Sequence, residues 1–162
     1  MINLRRILVP TDFSETSEAA LRYGIALSRR FAARIHLLNV PDHPGRAAEA
    51  EYPIGIFETM QNAAYDRLRQ LLTEEELNEL QPACAMRIGE PADEIVRYAH
   101  EHAVDLTVMG THGREGVMRA VLGSVAETVV RRASCPVLTV HHPEHEFVVV
   151  DEPVRARRAV MA

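Results

Sequence analysis

Short, nearly unbroken apolar runs alternate with segments of helical period along this chain, and that alternation limits its fold more than any other feature. The runs predict five strands: Arg5–Val9, Arg34–Val40, Ala83–Ile88, Asp105–Met109 and Pro136–His141. Ile7-Leu8-Val9 is apolar on successive residues and Arg34 to Val40 is mostly apolar, as in parallel strands covered on both faces. Between them the period changes. Ser14 is placed to cap a helix running to Phe31, with Glu15 and Glu18 in its first turn and Ala20, Tyr23, Gly24, Leu27 and Phe31 on one face. Further helices are predicted over Ile56–Leu72, from the capping box Thr73-Glu74-Glu75-Glu76 to Leu80, over Ala92–His102 and over Val125–Ala133. Parallel strands need crossovers, and helices cover both faces of the sheet they connect. The expected class is therefore α/β, a doubly wound five-stranded parallel sheet.

A chain of 162 residues, nearly half of them apolar, suffices for one such domain. That domain is expected to span residues 1–141, with 142–162 as a tail. Within the tail Phe147-Val148-Val149-Val150 is a candidate extra strand, and Arg155 to Arg158 reads as a solvated basic end. The internal stretch from Pro41 to Pro53, with proline, glycine and charge, reads as a loop. No apolar run is long enough to span a membrane, and the first strand begins too early for a signal peptide, so a cytoplasmic protein is expected. A net charge of −5 argues against a general nucleic-acid binder. Cys84 and Cys135 form no CxxC pair and are expected to pack as small apolar groups.

The chemistry concentrates between the fourth strand and the last helix. Met109-Gly110-Thr111-His112-Gly113 is followed by nine residues and then Gly123-Ser124-Val125. A glycine-punctuated loop between a strand and a helix start suits a phosphate group. Glycine admits close approach of an anion, and the helix start supplies N–H donors and a positive dipole end. Ligands of doubly wound sheets sit at the carboxyl ends of the strands, at the switch point. Those ends are Pro10-Thr11-Asp12, Val40 and Met109-Gly110. Simpler readings stand beside these. Ser124 with Glu127 also matches a capping box, Asp12 also suits a helix-start cap, and Arg114 and Arg119 are equally good as phosphate partners or as solvated loop residues. His141, His142 and His145 invite a metal reading, but adjacent histidines on a strand point to opposite faces, and no metal site is expected.

At these residues the chain resembles the universal stress protein family, specifically its ATP-binding branch. The carrying motifs are Gly110, two residues, Gly113, nine residues, Gly123-Ser124, together with Ile7-Leu8-Val9-Pro10-Thr11-Asp12-Phe13-Ser14 and Ser134-Cys135-Pro136-Val137-Leu138. They cover about residues 3 to 141. The resemblance implies a Rossmann-like, adenine nucleotide α-hydrolase-like sheet of strand order 3-2-1-4-5. It implies ATP with Mg²⁺ as ligand, with Pro10, Thr11, Asp12, Val40, Met109, Gly110, Gly113, Arg114, Gly123, Ser124 and Val125 around it. Asp12 would face the ribose or a magnesium-bound water, and Val40 would meet adenine through its backbone. Met109 and Gly110 would lie under the nucleotide. Gly113, Gly123, Ser124 and Val125 would hold phosphates by backbone N–H groups and one hydroxyl. A homodimer through the fifth strand and an unidentified protein partner are implied as well.

Three functions follow from this reading: an ATP-binding regulatory module of a stress response, a nucleotide-free dimeric interaction domain, and a slow ATP-hydrolysing or nucleotide-transferring enzyme of the same fold. The third lacks support in the first loop. Pro10-Thr11-Asp12-Phe13 offers neither a His-x-Gly-His nor a Ser-Gly-Gly signature. Nor does the chain contain a Walker lysine motif, a Gly-x-Gly-x-x-Gly, or a defensible Ser-His-Asp arrangement.

Overall fold

The computed structural model describes residues 2–41, 55–111 and 123–141. Among these the order is β1 (Arg6–Pro10), α1 (Glu15–Phe31), β2 (Arg34–Asn39), α2 (Ile56–Arg69), α3 (Glu74–Leu80), β3 (Ala83–Met86), α4 (Pro91–Glu101), β4 (Leu106–Gly110), α5 (Ser124–Arg132) and β5 (Val137–Val140). All strand pairs are parallel and the sheet order is β3-β2-β1-β4-β5, as expected. The tail from 142 and its candidate strand Phe147–Val150 lie outside the described residues, as do 42–54.

The two-residue period of the strands divides the core. Ile7, Val9, Ile35, Leu37 and Val108 point to one face, where Ala20 and Tyr23 of α1 and Leu68 of α2 cover them. Leu8, Leu38 and Met109 point to the other, against Ile95, Tyr98 and Ala99 of α4 and Ala126 and Val129 of α5. A fully buried leucine or isoleucine of this kind contributes roughly 1.5–3 kcal/mol. Cys84 packs against the first cluster and Cys135 against the second, so the sheet itself separates the two thiols. Burial raises the Cys84 thiol above its ordinary value.

Local rules account for the helix ends. Ser14 caps α1, accepting from the Ser17 N–H at 3.2 Å. Thr73 and Glu76 make both bonds of the expected capping box, at 3.1 and 2.9 Å. α1 lies so close to the sheet that a Cβ on Gly24 would sit 2.5 Å from Val9 Cγ2. Among the described residues no helix is long and apolar enough to cross a membrane.

His36 is buried in the second face between Tyr98 and His102. Its Nδ1 lies 3.0 Å from the Tyr98 hydroxyl, while Nε2 has no hydrogen-bond partner among the described residues. Burial, then the charges of His102, Arg34 and Arg6, push its pKa down to about 4.

Candidate functional site

β1 and β4 are neighbours in the sheet, but their chains leave toward opposite faces. After β1 the chain enters α1 on the first face, and α5 covers the second. This is the switch point of a doubly wound sheet, where a crevice opens at the strand ends.

The β1–α1 turn is built by its own side chains. Thr11 is 6% exposed and spends every polar atom internally. Its N–H donates to the Leu38 carbonyl at 2.9 Å, and its carbonyl accepts from Asn39 Nδ2 at 2.9 Å. Its hydroxyl accepts from the Phe13 N–H and shares a hydrogen bond with Ser17 Oγ, both at 3.0 Å. Asp12 Oδ1 accepts from the Ser14 N–H at 3.0 Å and from the Ser14 hydroxyl at 2.5 Å. That is an Asx turn feeding the α1 cap, so the carboxylate is held in one orientation at the rim. Phe13 between them has φ +64, a left-handed conformation costing of order 1–3 kcal/mol in a non-glycine residue. Arg67 of α2 lies over its ring, 3.8 Å from the centroid.

Across the switch point, a Cβ on Gly110 would lie 2.7 Å from Thr16 Cγ2 and 3.0 Å from the Thr16 carbonyl carbon and oxygen. The glycine therefore lets the first turn of α1 seat on the end of β4, a packing reason independent of any ligand. The side chains of Met109 and Val40 are buried in the second-face core, and Pro10 is buried at the end of β1.

Thr111, just past β4, joins three segments. Its N–H donates to the Val140 carbonyl at 3.0 Å, and its carbonyl accepts from the Gly123 N–H at 2.7 Å. Its hydroxyl shares a hydrogen bond with His141 Nδ1 at 2.8 Å. The start of α5 is thereby brought against the ends of β4 and β5. Gly113 and Arg114, with His112 and Arg119, lie outside the described residues.

The start of α5 corrects two expectations. Gly123, not Ser124, is the N-cap, with no side-chain cap bond, and its carbonyl accepts the first helical bond from the Glu127 N–H at 2.8 Å. Ser124 is already helical, and Glu127 pairs with Arg131 at 2.8 Å instead of closing a capping box. The Gly123 N–H is spent on Thr111, so the amides without a helical acceptor are those of Ser124, Val125 and Ala126. Gly123 has φ −59, open to any residue, so its conformation gives no reason for glycine.

The start of α5 offers helix-start donors suited to an anion, and the β1–α1 turn offers a carboxylate held by Ser14. Among the described residues no three His, Cys, Asp or Glu side chains gather to hold a metal ion. A magnesium ion at this rim would be held chiefly by phosphate oxygens and water, as magnesium commonly is. Sequence reasoning missed Ser17, Asn39 and His141 as members of this rim. His141 stood out only as a metal candidate, and buried hydroxyls and amides leave no periodic signal.

A model of the universal stress protein family matches residues 3–141. Universal stress protein MJ0531 of Methanocaldococcus jannaschii is 35% identical over 145 residues, covering 88% of this chain and 85% of that one. The solved structure of MJ0577, a universal stress protein of the same organism, superposes with a TM-score of 0.71 at 31% identity, covering 89% of this chain and 100% of that one. A universal stress protein of Archaeoglobus fulgidus, solved in complex with dAMP, shares the fold at a TM-score of 0.51 and 21% identity, covering 86% of this chain and 99% of that one.

Proposed function

The chain belongs to the universal stress protein family, and from that membership and the rim just described we propose that it is an ATP-binding regulatory module. One observation carries the reading furthest. The 2.7 Å bond from Gly123 to Thr111 ties the first turn of α5, whose leading amides have no helical acceptor, to the end of β4, the neighbour in the sheet of the strand that leads to Asp12. Triphosphate would lie at the start of α5, where the first-turn amides and the dipole favour negative charge. Adenine would meet the main chain at Val40, and Asp12 would face the ribose or a magnesium-bound water. Gly113, Gly123, Ser124 and Val125 line the phosphate side in this proposal, and Arg114 would neutralise charge there. Gly123 supports it because its backbone conformation does not call for glycine, whereas close approach of a phosphate does. Proteins of this fold can hold an adenine nucleotide, as the Archaeoglobus protein solved with dAMP does.

The module would act as a homodimer in the cytoplasm, paired through β5. β5 has only β4 beside it among the described strands, and an uncovered edge invites pairing. The domain would comprise residues 1–141, with 142–162 an appended tail. Turnover would be slow. The described turn commits Thr11, Asp12 and Ser14 to one another and supplies no dedicated base for phosphoryl transfer. The test is to denature freshly purified protein and analyse the released small molecules by chromatography. Adenine nucleotide near one per chain is expected. If none is released and none binds on addition, the nucleotide-free interaction domain replaces this reading.

A further inference from the structure

We propose that Thr111 and His141 form a clasp that positions the nucleotide site, with His141 acting through Thr111 and touching no ligand itself. The inference rests on the nucleotide reading above and adds to it a pair of positioning residues. Three bonds converge on one residue. Thr111 is 7% exposed, and its N–H, carbonyl and hydroxyl go respectively to Val140, Gly123 and His141. Val140 and His141 stand at the end of β5, an edge strand among the described residues, and Gly123 opens the helix whose first amides have no helical acceptor. Thr111 is also where the chain leaves β4. One residue therefore ties both the end of β5 and the start of α5 to the end of β4, by two main-chain bonds and one side-chain bond.

The main-chain bonds of Thr111 hold Val140 and Gly123 but not the residue that follows β5. The hydroxyl bond to His141 adds a third tie, from the side chain, and so fastens the chain beyond β5 to the same point. A loosened clasp would let the Ser124, Val125 and Ala126 amides shift and lengthen the hydrogen bonds they would make to a bound anion. A histidine suits this task. Its Nδ1 reaches back to a neighbouring strand end, and its short, planar side chain has few rotamers to lose. The placement at the end of β5 also makes the clasp continuous with the edge proposed to pair in a dimer, so that edge and site share one hinge point.

The experiment uses the full chain with four variants: Thr111→Val, Thr111→Ser, His141→Ala and His141→Asn. Amide hydrogen exchange is read first, without nucleotide. Thr111→Val and His141→Ala should each speed exchange of the Gly123 and Thr111 amides at least tenfold, with little change in the amides of β1 and β2. Thr111→Ser keeps the hydroxyl, and His141→Asn places an acceptor where Nδ1 stood, so both should stay near wild type. Affinity for Mg·ATP is then measured by calorimetry. Each disruptive variant should weaken it about tenfold, and the Thr111→Val/His141→Ala double variant should be no worse than either alone. Unchanged Gly123 exchange in Thr111→Val and His141→Ala overturns the clasp, as does a double variant whose loss is the product of the two single losses. Wild-type protein that binds no Mg·ATP fails the nucleotide reading instead, and the exchange result still judges the clasp on its own.

Discussion

Two glycines that look alike in the motif do different work. Gly110 is fixed by contact with the main chain of Thr16, so Gly110→Ala should destabilise the protein by about 1–3 kcal/mol through overpacking. Thr16→Ser should not rescue it, because the carbonyl carbon and oxygen at 3.0 Å remain. Urea unfolding of the single and double variants checks both statements. Gly123, at φ −59, has no conformational need for glycine. Ser124 separates stability from binding still more sharply. Because it is a helical, exposed residue and not the cap, Ser124→Ala should change stability by less than about 0.5 kcal/mol. A loss of nucleotide affinity in that variant then reports on the ligand contact. A stability loss near 1 kcal/mol would instead restore the hydroxyl to a capping role.

At the scale of elements, Thr73→Ala should cost about 1 kcal/mol by removing the α3 cap, measured as a shift of the unfolding midpoint. The Thr-x-x-Glu that opens α3 and the Ser-x-x-Glu that opens α5 are the same pattern, and only the first is a capping box. The difference lies outside the pattern: Gly123 is tied to Thr111 twelve residues earlier and takes the cap position first. Long-range contacts of that kind cannot be seen in a local window. Strand number, helix number, parallel pairing and both core faces were legible, because buried runs and helical period are local and strong. Strand ends were legible to within a residue or two. β1 takes in Pro10, whose missing N–H matters least at a strand end, while β3 stops at Met86 as β2 runs out at Asn39. At the candidate site the motif pointed to the ends of β2, β1 and β4, which are neighbours in the sheet. It did not show that Thr11 is turned inward or that His141 joins the rim, since these depend on distant partners, Leu38 and Asn39 for Thr11 and Thr111 for His141.

Taken as a whole molecule, the protein should lose stability on mild acidification through one buried ring. The unfolded chain protonates its histidine near pH 6.5, whereas folded His36 resists protonation until about pH 4. Between those values the unfolded state holds more protons, so the stabilising contribution is complete above about pH 6.5 and falls as the pH drops toward 4. At pH 5 the loss should be about 2 kcal/mol. Comparing urea midpoints at pH 7.5 and pH 5 for wild type and His36→Leu isolates it, since the other histidines titrate in both. Equal losses in the two proteins would place the acid sensitivity elsewhere.

The same whole-molecule view sets the sharpest test of function, because the fold, the switch point and the start of α5 matter together only if an adenine nucleotide binds there. The measurement is a calorimetric titration of nucleotide-stripped protein with Mg·ATP and with Mg·GTP, repeated on Gly123→Val. Wild type should bind one ATP per chain and GTP at least about tenfold more weakly, since a guanine carbonyl left without a donor costs ~1–3 kcal/mol. Gly123→Val should keep its circular dichroism and show no binding, the side chain filling the space of a phosphate. Equal affinity for ATP and GTP, or a folded Gly123→Val that binds ATP as wild type does, would contradict the account.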